Sequence, residues 1–143
     1  MSKINIHWIC GFINSDGSFS VYLIKSNTSK FGYSYNLRIL ISQHNKSLIV
    51  LDAIKNYFNV GNIYSNSATG TVLEYKIFSL KDILLFIDLF KDAQLLGAKA
   101  LDYTDFCTII GLFKNKEHLT LEGIKTIKEI INNMNSTRTQ FEK

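Results

Sequence analysis

The stretch that decides the reading is Trp8 to Phe19, WICGFINSDGSF. Residues 5–15 carry apolar or small side chains on nearly every helical face, which is the pattern of a buried helix. Gly17-Ser18 ends that helix, and residues of strand character follow at once. Asp16 therefore stands at a helix C-terminus, against the macrodipole, at a cost of about 0.3–1 kcal/mol. Asp-Gly is also a favoured turn pair, and that reading accounts for the acid without function. A bound divalent cation would favour keeping the acid, because hard cations take carboxylate oxygens. Gly11 and Ser15, four apart, place two small residues on one face, where a second backbone can approach closely.

Working outward, residues 18–25 alternate Phe19, Val21 and Leu23 against Ser20, Tyr22 and Ile24, a strand with one covered face. Residues 33–42 alternate in the same way, and the turn chemistry of 26–32 between them makes a hairpin. Residues 45–58 have helical spacing through Leu48, Leu51, Ile54 and Phe58. A second hairpin spans 60–79 around Ala68-Thr69-Gly70. Three helices follow at 80–92, 98–114 and 120–135, the last with a Thr120 N-cap and Gly123 as a weak point. The order α-β-β-α-β-β-α-α-α predicts an α+β domain over 1–135 with one sheet face open. Residues 136–143 are expected to fray.

The 143 residues carry a formal net charge of +4, with 46% hydrophobic and 20% charged residues. This is the composition of an ordinary folded domain. Six basic residues (Lys25, Lys30, Arg38, Lys46, Lys55, Lys76) against two acids (Asp52, Glu74) place 6 − 2 = +4 between residues 20 and 80, so the whole excess sits there. A localised basic face is the footprint of a polyanion binder. No apolar run approaches a membrane span, and the N-terminus lacks secretory-signal features. Cys10 and Cys107 lack metal spacing and are expected as buried thiols in a reducing compartment. The excess of Lys over Arg, with abundant Asn and Ile and no Pro, fits an A/T-rich coding genome of the kind found in organelles. His7, His44 and His118 show no ligand spacing.

Ile9 to Gly17, ICGFINSDG, resembles the signature of the LAGLIDADG homing endonucleases, with small residues at its third and seventh positions (Gly11, Ser15) and the acid before its last glycine (Asp16). The likeness extends through ISQHNKSLIVLDAIKNYF, LLGAKALDYTDF and LTLEGIKTIKEIINNMN, and the order of elements matches that fold. The resemblance implies an αββαββα core with a saddle-shaped antiparallel sheet and extra C-terminal helices.

It further implies a site-specific double-strand DNA endonuclease using Mg2+ or another divalent cation. Asp16 would be the catalytic metal-binding carboxylate. Gln43 would hold the water network, and Lys99 would lie near the scissile phosphate. Gly11 and Ser15 would form a homodimer interface. The open face would lie in the DNA major groove with Ser20, Tyr22, Ser26, Ser34, Asn36, Arg38, Tyr64, Asn66, Glu74 and Lys76. Asn14 replaces the motif's first acid, and the hairpin face is poor in Arg and carries Ile24 and Leu40. The motif occurs once, since Glu117 stands where a second copy at LTLEG would need a small residue. One motif implies a homodimer on a near-palindromic site, or a half that needs a partner. The alternative is a fold that binds without cutting: an RNA maturase or a structural subunit of a ribonucleoprotein such as a mitochondrial ribosome. Structured RNA then replaces DNA as the partner. An organelle such as the mitochondrial matrix is the expected location.

Overall fold

The computed structural model describes residues 5–66 and 68–135. In chain order these form α1 (Ile6–Asp16), β1 (Gly17–Lys25), β2 (Tyr33–His44), a 3-10 turn (Asn45–Ser47), α2 (Leu48–Phe58), β3 (Asn62–Ser65), β4 (Val72–Ile77), α3 (Leu80–Phe90), α4 (Gly97–Lys114), a second 3-10 turn (Glu117–Leu119) and α5 (Leu121–Asn132). The strands hydrogen-bond in the order β1-β2-β4-β3. Every expected helix and strand is present, with ends shifted by a few residues. The expected fraying of 136–143 lies outside the described residues. The chain gathers into two compact units, one of residues up to Ser18 with Arg38–Leu95, the other of Phe19–Leu37 with the residues from Leu96 on.

In the first unit the second half of β2 pairs antiparallel with β4, and β4 with β3. Period two sorts the side chains. Ile39, Ile41, Tyr75 and Ile77 are buried on one face, and Ile9, Ile13, Leu51, Ile54, Ile83, Phe86 and Phe90 complete this core. Phe58, Phe86 and Phe90 form its aromatic centre, with Phe58 and Phe86 centroids 4.3 Å apart. The Tyr75 hydroxyl donates to the Val60 carbonyl at 2.6 Å, and burial followed by the Asp82 charge pushes its ionisation far up. The opposite face carries Leu40, Ser42, Asn62, Tyr64, Glu74 and Lys76, cross-strand neighbours in register.

The second unit holds most of β1, the start of β2, and α4 and α5. Phe19 packs against Tyr103 and Phe106 of α4, with centroids 4.9 and 5.6 Å away. Past α5, the Asn135 N–H donates to the buried Asp102 carboxylate at 2.9 Å, and its side-chain amide donates to the Phe19 carbonyl at 3.1 Å. His118 lies flat on Phe113 (4.1 Å, 4°), with the Tyr35 ring edge-on to both.

Two expectations need correcting. Cys10 is buried as expected, but Cys107 is only half-buried. Gly123 is not a weak point in α5. It is buried, and a Cβ there would fall on the Glu117 carbonyl and 3.0 Å from the Thr120 hydroxyl that caps the helix. The glycine is what lets the second 3-10 turn fold against the first turn of α5.

Two outcomes follow for stability. Gly123→Ala lowers the free energy of unfolding by about 1–3 kcal/mol through overpacking. Gly111→Ala in α4, where a Cβ meets nothing within 4 Å, raises it by roughly 0.5–1 kcal/mol. Chemical denaturation checks both. Burial also holds the His118 imidazole below its usual 6.5, against a smaller opposing contribution from the Leu112 carbonyl. Below pH 6.5 the unfolded chain takes up this proton before the folded one does, so stability falls as the pH drops through that window. His118→Phe keeps the stack and flattens that slope, which denaturation midpoints measured across the window will show.

Candidate functional site

The site grows from the end of α1. Asn5 caps the helix, its side chain accepting from the Trp8 N–H at 3.0 Å. Ile9, Cys10 and Ile13 bury one face. Gly17 closes the helix by donating to the Ile13 carbonyl, and a Cβ at Gly17 would stand 2.9 Å from Ile13. No residue separates α1 from β1, so Asp16 projects from the last helical position and is exposed.

The expectation that α1 is buried all round fails. Trp8 is 40% exposed, and Gly11 and Ser15 are exposed as well. His7, Trp8, Gly11, Phe12 and Ser15 line a shallow hollow on that face. A Cβ at Gly11 would meet nothing within 4 Å, so the groove beside it is open.

The Asp16 carboxylate is held from two sides. Gln43 Nε2 donates to Oδ2 at 2.6 Å, and the Ser15 hydroxyl lies 3.3 Å from the same oxygen while also reaching the Gly11 carbonyl at 3.1 Å. Gln43 stands opposite Leu73 in the β2–β4 register, on the face that carries Ile39 and Ile41. The strand therefore fixes the amide and the amide fixes the carboxylate. Among the described residues, no group of three or more His, Cys, Asp or Glu is placed to hold a metal ion. Asp16 can supply carboxylate oxygens to a hard cation, but a second donor set has to come from elsewhere.

Lys99 belongs to the second unit. It stands half-buried in the first turn of α4, a helix whose N-cap, Leu96, offers no side-chain hydrogen bond. A cation there faces the positive end of the helix dipole.

The predicted surface residues divide between the units. In the first, Tyr64 and Asn66 are exposed, Arg38 and Lys76 are half-buried, and Glu74 is 8% exposed beside Lys76. In the second, Tyr22, Ser34 and Asn36 are exposed. Ser20, which alternation puts with Tyr22 and Ile24, is only 6% exposed. Ser26 falls past the end of β1, and its hydroxyl is engaged with that of Thr28 at 3.1 Å. Sequence reading missed Asn62. It is exposed and faces Lys76 across β3–β4, and period two applied to β3 would have found it.

Comparison with known proteins follows the same lines. The sequence profile described as LAGLIDADG endonuclease matches residues 9–110. A protein named probable intron-encoded endonuclease 3 of Neurospora crassa is 34% identical over 126 residues, 87% of this chain and 23% of that protein. An uncharacterized 50.9 kDa protein in ND4 intron 1 of Podospora anserina is 33% identical over 122 residues, 84% of this chain and 27% of that protein. Among solved structures, the I-LtrWI LAGLIDADG homing endonuclease bound to target DNA superposes with a TM-score of 0.90 at 33% identity, covering 96% of this chain and 46% of that one. I-SmaMI bound to an uncleaved DNA target in the presence of calcium ions gives 0.86 at 32% identity, covering 92% and 45%. The chain thus spans about a quarter of those curated relatives and just under half of those solved chains.

Because Asn5 secures the helix that carries Asp16, Asn5→Ala is expected to lower stability by about 1 kcal/mol. Equilibrium denaturation checks this, with Asn5→Ser as the variant that retains the cap.

Proposed function

Since this chain belongs to the LAGLIDADG endonuclease family, we propose that it is a site-specific double-strand DNA endonuclease that works as a homodimer with Mg2+. The observation that carries the reading is the Asp16 carboxylate, held at 2.6 Å by Gln43 at the exposed tip of α1. A carboxylate at a helix C-terminus is unfavourable unless a positive charge meets it. One such group is too few for a metal site, and magnesium sites are completed by further carboxylate, water and substrate phosphate.

A second copy of α1 seated on the open face of the first, along Gly11 and Ser15, would bring a second Asp16 to the seam. Two domains of this size would also reproduce the length of the solved chains that this one matches over 92–96% of its own residues. Asn14, in place of the motif's first acid, leaves Asp16 as the donor from each copy.

In that arrangement each residue has a defined task. Asp16 holds the cation, and Gln43 keeps the carboxylate from rotating away. Lys99 offers positive charge to a phosphate. The open strand positions of each unit bind the duplex, Tyr64, Asn66, Lys76 and Arg38 in the first and Tyr22, Ser34 and Asn36 in the second. A divalent cation held by Asp16 would acidify a bound water for attack on phosphorus and would stabilise the departing oxygen. The names of the intron-encoded relatives support an organelle as the place of action.

The chain is expected to run in light scattering at about twice 16.3 kDa. The wild type should cut a DNA pool enriched for its binding site when magnesium is present. Asp16→Asn should abolish the cutting while retaining the binding. A mass near 16.3 kDa overturns the homodimer. Binding without cutting in the wild type, unchanged by Asp16→Asn, would instead make the chain a nucleic-acid-binding subunit on this fold.

A further inference from the structure

The open face of the first unit holds one ion pair whose placement stability does not explain. Lys76 Nζ lies 3.2 Å from Glu74 Oε1, with the two side chains 29% and 10% exposed. Both project from β4, flanked in register by Ser42 and Tyr64 at Glu74 and by Leu40 and Asn62 at Lys76. The ammonium also stands 5.5 Å from the centre of the Tyr64 ring. Shielding a carboxylate from water is unfavourable, and ion pairs near the surface return little. In a surface that meets a polyanion, a carboxylate also repels. It weakens general affinity, so its effect is to discriminate among partners.

The chemistry of the pair says what it discriminates. An ammonium has three donors, of which Glu74 uses one, and a carboxylate accepts only. Two donors and an acceptor therefore stand side by side, 3.2 Å apart. In the major groove a G·C pair offers the guanine N7 and O6 acceptors, then the cytosine N4–H donor. O6 and N4 are hydrogen-bonded to each other, so they are about 2.9 Å apart. Lys76 over N7 and O6 with Glu74 on N4–H satisfies every group. An A·T pair with adenine in the guanine position sets its N6–H donor against the ammonium and the thymine O4 acceptor against the carboxylate, and the reversed pair sets the thymine methyl beside the ammonium and the adenine N7 acceptor beside the carboxylate.

We propose that Lys76 and Glu74 act as one reader of a single G·C base pair, guanine on Lys76 and cytosine on Glu74, with Tyr64 steadying the lysine. The assignment rests on the DNA-binding reading above and adds the base that this part of the sheet selects.

The test is selection of bound sequences from a randomised duplex library by the full chain and by two variants. The wild type should enrich a motif with G·C at one position. Glu74→Gln should lower the cytosine preference at that position about tenfold, ~1.4 kcal/mol. Adenine should gain there, since glutamine pairs with its N6 and N7. Lys76→Met should relax guanine at the same position. The rest of the motif should persist in both, which also reports an intact fold. Should Glu74→Gln unfold, Lys76→Met decides alone. Unchanged motifs in the variants overturn the proposal, as does a loss spread evenly over all positions. A wild type that enriches no motif overturns the DNA-binding reading itself, and the base assignment with it.

Discussion

The passage from α1 to β1 at Gly17 is the constraint on which the site depends. Helix gives way to strand with no linking residue, and the Gly17 N–H already bonds the Ile13 carbonyl. Any Cβ there would press on buried Ile13 backbone and side chain at 2.9 Å. A larger residue would push the strand away from the helix end and carry Asp16 with it. The Gln43 amide that meets Asp16 is set by strand register opposite Leu73. An exposed carboxylate thus gets its position from the buried Gly17–Ile13 contact on one side and from a strand-held, half-buried amide on the other.

Helix-end charges fall on both sides of the macrodipole rule. Asp82 and Glu122 sit in the first turns of α3 and α5, and Lys55 and Lys114 in the last turns of α2 and α4. All four agree with the macrodipole. Asp16 at the end of α1 and Lys99 at the start of α4 oppose it, each by roughly 0.3–1 kcal/mol, as do Lys81 in the first turn and Asp88 in the last turn of α3. Of these, Asp16 and Lys99 are the ones to which the family resemblance gives chemical tasks.

Most of the architecture was legible because period two and period 3.6 are written plainly in this chain. Phe19 and Val21, or Ile39 and Ile41, cannot be placed on a solvent face without undoing the core. The errors came where a local rule met a tertiary fact. Gly123 reads as a poor helix former, yet the Glu117 carbonyl occupies the space its side chain would need. The α1 helix reads as fully buried, yet Trp8 and Gly11 face outward within its unit. Composition cannot distinguish a core face from an interface face, since both are apolar. Gln43 gained a role only through the family resemblance, because its partner lies 27 residues away.

Charge counting misled in an instructive way. The sequence places a +4 excess in residues 20–80. On the open strand face of the first unit only Arg38, Lys76 and Glu74 are charged, which sums to 2 − 1 = +1. The open strand positions of the second unit (Tyr22, Ile24, Ser34, Asn36) carry no charge. Lys30 and Lys46 lie in turns and Lys25 at a strand end, positions suited to phosphates along a groove rim. Phosphate contacts hold and orient a duplex, and base edges are read between them. On the proposed DNA-binding reading, the lysines of turns and strand ends would supply electrostatic attraction and the uncharged polar strands would supply hydrogen-bonding groups. Glu74, the one carboxylate among these strand positions, would act against affinity for a duplex, and selectivity among base pairs is the property it would add.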